Sequence, residues 1–137
     1  MGKSAITIAS GSGEPEIAAI DPTKVVSGEP IATTENLYVN GAETFFAGVW
    51  SSNEGKWRVA YEEDEFCVLL SGRVVLTDAA GETRTYGAGD AFVIPAGFEG
   101  TWETLEPVRK LYAICDGPSA PSAAAPATPL PEEDLPG

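Results

Sequence analysis

Glu65 and Cys67 stand two residues apart in the stretch Glu65-Phe66-Cys67-Val68-Leu69-Leu70, which reads as a strand. Alternation along an extended chain puts their carboxyl and thiol on one face with Leu69, while Phe66, Val68 and Leu70 take the other. Together the two groups could contribute to a metal site, or the carboxyl could work alone as a general acid or base. The first role needs more ligands. The chain of 137 residues contains no histidine, and two donors are too few for a firm transition-metal site. The second role needs Glu65 to be withdrawn from water, where desolvation disfavours the charged form of a carboxyl. A plainer role stays open beside it, in which Glu65 simply satisfies its charge against Arg58, Arg73, Arg109 or Lys110. Without histidine, Ser/His and Cys/His nucleophile pairs are ruled out. Gly11-Ser12-Gly13 lacks a following Gly-Lys-Ser/Thr and is no phosphate loop. The acidic run 62–65 reads as a solvated turn rather than a calcium loop.

The strand that carries Glu65 is apolar on both faces, so it needs cover on both sides. In a small barrel that outer cover would be another sheet, the N-terminal arm or a second subunit. Residues 56–61 alternate cleanly, with Trp57, Val59 and Tyr61 on one face and Lys56, Arg58 and Ala60 on the other, the mark of a half-buried antiparallel strand. Further strands are expected at 36–39 and 43–50, joined by a turn at Asn40-Gly41, the pair that best tolerates positive φ. Residues 73–77 and 82–86 form a hairpin around Asp78-Ala79-Ala80-Gly81, and 91–94, 100–104 and 108–115 complete the set. Short strands parted by Gly, Pro and Asn turns, with no helical period, define an all-β sandwich or barrel.

Composition divides the chain into a flexible N-terminal arm (1–20), one domain (21–116) and a Pro/Ala-rich acidic tail (117–137) for which no regular structure is expected. A net charge of −13 repels phosphate backbones and argues against nucleic-acid binding. No apolar run approaches the roughly 20 residues of a membrane span, so no membrane partner is expected. The N-terminus is a poor secretory signal, which makes the cytoplasm the expected location. Cys67 and Cys115 read as plain thiols rather than a disulfide framework.

Two phrases carry a resemblance. One is Glu65 followed, after six intervening residues, by Gly72. The other is Gly89-Asp90-Ala91-Phe92-Val93-Ile94-Pro95-Ala96-Gly97, a Gly-x5-Pro-x-Gly pattern. In this order they resemble the two-part signature of the cupins, small jelly-roll β-barrels. Gly48-Val49-Trp50, Gly72-Arg73-Val74 and Pro95-Ala96-Gly97-Phe98-Glu99-Gly100-Thr101-Trp102 are similar to the subgroup of ureidoglycine aminohydrolase-like and ethanolamine-utilisation cupins.

The resemblance implies an all-β, small jelly-roll (cupin) barrel. The family's metal-binding pattern would place histidines at Val59 and Tyr61 (or Arg58 and Ala60) and at Gly100, so Glu65 alone survives from the ligand set. No metal and no other cofactor is therefore expected. What remains is a barrel mouth lined by Trp57, Val59, Tyr61, Glu65, Cys67, Gly100 and Trp102, with Glu65 as candidate catalytic group and Gly100 leaving room where an imidazole would stand. The function expected is binding of a small-molecule ligand, a ureide or amino-acid-like metabolite, by a homodimer. Its rivals are a non-catalytic binding or assembly module and a metal-dependent aminohydrolase. A cavity of roughly 300 Å3 or more favours the ligand-binding reading over the empty module.

Overall fold

Residues 2–116, the part of the chain that the computed structural model describes, form nine strands. These are β1 (Glu16–Ala19), β2 (Val25–Gly28), β3 (Ile31–Val39), β4 (Phe45–Ser52), β5 (Gly55–Ala60), β6 (Asp64–Asp78), β7 (Thr83–Gly87), β8 (Ala91–Ile94) and β9 (Glu99–Cys115). No helix among the described residues is long and apolar enough to cross a membrane. Antiparallel pairing joins the strands into one curled sheet in the order β1-β3-β4-β9-β5-β2, while β6 pairs with β7, β8 and β9. The architecture is the all-strand jelly roll.

The long strand β9 is its common wall. The C-terminal half pairs with β4 on one side and with the first half of β6 on the other; the N-terminal half pairs with β5 and with the second half of β6. The sequence breaks at Ser71-Gly72 and Glu106-Pro107 look like turns, yet each lies within a continuous strand. The two irregularities face each other, as register shifts along the β6–β9 ladder. There the chains come so close that a Cβ on Gly72, at φ +91°, would stand 2.3 Å from the Pro107 carbonyl oxygen. Only glycine fits that crossing. The bulge also changes which side chains of β6 face inward: Glu65, Cys67 and Leu69 are buried before it, Val74 and Leu76 after it.

The inward faces meet in one cluster of Trp57, Cys67, Leu69, Val74, Leu76, Phe92, Ile94, Trp102 and Val108. Residues 55–60 keep the expected alternation, with Gly55 and Trp57 buried and Arg58 exposed. Three local features differ from the sequence reading. Glu16–Ala19, inside the stretch expected to be an arm, pairs with Ile31–Thr34. All four of its residues are exposed, so backbone pairing holds it and no hydrophobic period marks it. Val25–Gly28 likewise pairs with β5 across a bulge. The β3–β4 connection takes its left-handed residue at Glu43 (φ 59°) rather than at Asn40-Gly41. Asn40 organises this loop through its side chain, whose Oδ1 accepts the backbone N–H groups of Thr44 (2.7 Å) and Phe45 (3.0 Å). The tail at 117–137 lies outside the described residues.

Candidate functional site

One end of the barrel interior holds a cavity of about 320 Å3 between β3, β4, β5, β6 and β9. Three indoles form its walls. Trp57 on β5 stands opposite Trp102 on β9, and Trp50 on β4 closes edge-on against Trp102 with ring centroids 5.4 Å apart. The Trp102 ring is fixed by its Nε1–H, which donates to Thr104 Oγ1 at 2.9 Å.

Two charges stand in this aromatic chamber. Lys110 on β9 and Glu65 on β6 both line the cavity, although their residues are only 3% and 7% exposed. Lys110 Nζ donates to Glu65 Oε2 at 2.8 Å and lies 3.5 Å from Cys67 Sγ. The ammonium also sits over the rings of Trp102 and Trp50, 4.5 and 4.8 Å from their centroids, where the negative π-faces stabilise it. Strand parity explains why a lysine is here: Val108, Lys110 and Tyr112 share the inward face of β9. Burial is the largest influence on the Lys110 ammonium and would push it below its ordinary pKa, but Glu65, through its charge and hydrogen bond, together with Cys67 and Tyr61 holds it above. The ammonium therefore keeps its proton. Burial likewise pushes the Cys67 thiol and the Tyr61 phenol up to about 12 each, so both are neutral near pH 7. Tyr112, also pushed up to about 12 by burial, donates to Asn36 Oδ1 at 2.7 Å. Gly48 gives that hydroxyl room, since a Cβ there would come within 2.8 Å of it.

Of the seven residues the sequence suggested for the pocket, Trp57, Tyr61, Glu65 and Trp102 line this cavity together. Cys67 is fully buried beside it and touches Glu65 and Lys110. Val59 and Gly100 are not among its lining residues. They pair with each other across β5 and β9 and border a separate recess with Lys24, Arg58 and Thr101. The missing side chain of Gly100 opens no extra space, because the Thr77 carbonyl oxygen lies 1.8 Å from where a Cβ would stand. Among the four cations open to Glu65, the structure pairs Lys110. Arg58 instead donates to the Thr23 carbonyl, Arg73 approaches Glu106 at 3.6 Å, and Arg109 is exposed. Trp50, Thr34 and Tyr112 also border the cavity. Tyr112 could have been found from its parity with Lys110; Thr34 gives no signal in the sequence.

Cupin barrels imply a transition metal, and the residues here do not fit one. Among the described residues no group of three or more His, Cys, Asp or Glu side chains comes together. The two donors that do meet, Glu65 and Cys67, share the Lys110 ammonium between them. A divalent cation there would face a fixed positive charge at contact distance.

Residues 39–112 match the EutQ-like cupin domain family. The chain belongs to that family. In structure it is similar to a protein of unknown function from Pseudomonas syringae pv. tomato at 30% identity and TM-score 0.67, over 74% of this chain and 43% of that one. It therefore spans less than half the length of that relative. The Clostridium difficile EutQ protein is similar at 16% identity and TM-score 0.57, covering 65% of each chain. A putative ethanolamine utilisation protein Q from Salmonella typhimurium is similar at 19% identity and TM-score 0.58, over 77% of this chain and 98% of that one. The last two likenesses speak for the fold alone. No curated protein matches the sequence.

Proposed function

We propose that this cupin binds a small polar metabolite in the Trp50–Trp57–Trp102 chamber, in the cytoplasm and without a histidine-bound metal. The observation that carries the reading is the Glu65–Lys110 pair: two opposite charges, each more than nine-tenths buried, both bordering a 320 Å3 cavity. Mostly aromatic walls with a few convergent polar groups are the usual makeup of a small-molecule site, and the volume lies at the lower end of the roughly 300–1,000 Å3 such sites span. A ureide or amino-acid-like ligand is the class suggested by the resemblance to ureidoglycine aminohydrolase-like cupins. Glu65 and Lys110 are the groups that orient it, and Glu65 is the candidate for proton transfer. A metabolite screen by thermal shift, followed by titration against Trp fluorescence, tests this. A hit that raises the melting temperature and changes the indole signal supports the reading. A broad screen that moves neither points to the rival, a non-catalytic assembly module.

The homodimer has a face on which to form. Phe66 and Leu70 on β6 and Val93 on β8 are exposed on the outer side of the barrel, with Phe66 opposite Val93 in the ladder. We propose that a second copy of the chain covers them.

A further inference from the structure

The pair at the cavity has been left incomplete, and what it lacks describes its ligand. Glu65 Oε2 accepts from both Lys110 Nζ (2.8 Å) and Cys67 Sγ (3.5 Å), whereas Glu65 Oε1 accepts no hydrogen bond among the described residues. An ammonium has three protons. Lys110 gives one to Glu65 and a long contact to Cys67, and no other oxygen or nitrogen acceptor among the described residues takes a hydrogen bond from it. One buried acceptor and one buried donor thus remain side by side next to a cavity. Buried polar groups left without partners are costly. Charge balance adds a second constraint. The pair is neutral as a unit, and Tyr61 and Cys67 keep their protons near pH 7. An anionic or cationic ligand head would leave a net charge in an aromatic, desolvated chamber.

We infer that the Lys110 ammonium, held by Glu65, takes the place of the metal as the resident cation of this barrel. The Glu65–Lys110 pair reads a neutral ligand head in which a carbonyl oxygen and an N–H are adjacent: a primary amide, a urea or a carbamate. The carbonyl accepts from Lys110 and the N–H donates to Glu65 Oε1. Such a head is planar and small, and it would sit among the indoles of Trp50, Trp57 and Trp102 that line the cavity beside the pair. The inference rests on the chamber being a ligand site, as proposed above, and narrows it to one chemical class. Nothing is transferred in this step; it is binding alone.

The test uses three probes with one tail, butyramide, butyrate and butylammonium, titrated against the full chain while the indole N–H resonances are followed by NMR. Butyramide is expected to bind about tenfold or more tightly than either ion, equivalent to about 1.4 kcal/mol. Two variants then move the preference in opposite directions. Glu65→Gln leaves a cation and turns the order toward butyrate; Lys110→Met leaves an anion and turns it toward butylammonium. Equal or tighter binding of an ion by the parent overturns the inference, as does a set of indole resonances that none of the three probes moves. The parent's ranking decides the matter even where a variant fails to fold. A screened metabolite of another class that shifts the same resonances would sink the head-group assignment and leave the ligand site standing. Silence from every compound would sink both.

Discussion

Lys110 Nζ lies 2.8 Å from Glu65 Oε2, with both side chains inside the barrel and the ammonium 4.5 Å above the Trp102 ring. Glu65 lies four positions along β6 from Leu69, the ladder partner of Lys110, so the two side chains meet only because both lean along their strands toward each other. A pair this buried contributes little net stability compared with apolar residues of the same volume, yet removing one member strands the other. Glu65→Gln is therefore expected to destabilise the fold by about 3–5 kcal/mol, and so is Lys110→Met. An unpaired Glu65 would have made the first substitution harmless. The double change Glu65→Gln/Lys110→Met removes both charges and should cost clearly less than the two single changes summed. Urea denaturation of the four proteins closes the cycle. Additive losses would show that the two side chains do not act as a unit.

Alkaline pH should unfold the protein early. Burial raises the Cys67 thiol from its ordinary 9.0 to about 12, and the Tyr61 and Tyr112 phenols from 10.0 to about 12. Lys110, which burial alone would lower, is held above its ordinary value by Glu65, Cys67 and Tyr61 together. In each case the folded chain keeps a proton that the unfolded chain releases, so raising the pH favours unfolding. The stability these groups contribute is complete below about pH 9 and is lost between pH 9 and 12. The melting temperature should be level from pH 7 to 8.5 and then fall steadily. Cys67→Ala removes the group that titrates first and should delay the onset towards pH 10. A melting temperature unchanged up to pH 11 would contradict the burial of Cys67, Tyr61 and Tyr112.

Transition metal should be absent at stoichiometric levels from the purified protein. The positions where the family pattern calls for histidine hold Val59, Tyr61 and Gly100, and Lys110 shares the remaining donors. Elemental analysis finding close to one manganese, iron, nickel or zinc per chain would refute this.

Gly100 shows how far sequence reasoning reached and where it stopped. Strand alternation and the Gly-x5-Pro-x-Gly phrase made the jelly roll legible, and Glu65 with Trp57, Tyr61 and Trp102 pointed to residues that do meet at one cavity. Those signals are local, because period and motif need only the residues themselves. The identity of the cation beside Glu65 depends on which strands adjoin, and four candidates looked equal until β9 was placed between β4 and β6. Gly100 had the same problem. Its missing side chain suggested space for a ligand, whereas the Thr77 backbone fills that space. Gly100→Ala should accordingly cost about 1–3 kcal/mol or more through overpacking. On the pocket reading of Gly100 the same change would leave stability intact and weaken ligand binding, so denaturation and titration of one variant separate the two.

The outer side of β6 and β8 supplies the last expectation. Phe66, Leu70 and Val93 are 48%, 45% and 59% exposed; Phe66 faces Val93 and Ala113 across the ladders, and Val68, between Phe66 and Leu70, faces Ala91 and Leu111. These side chains carry no charge themselves, on a chain whose net charge is −13. Two copies repel one another over most of their surface, and an uncharged apolar face is where that repulsion is least and desolvation gains most. We expect a dimer in solution by light scattering at micromolar concentration. Val93→Glu puts a carboxylate on each side of the contact and should give a folded monomer. Deleting residues 117–137 should leave the dimer intact. A monomeric parent would remove the second copy from the account, and a dimer lost only on deletion of that segment would assign the contact to the tail instead.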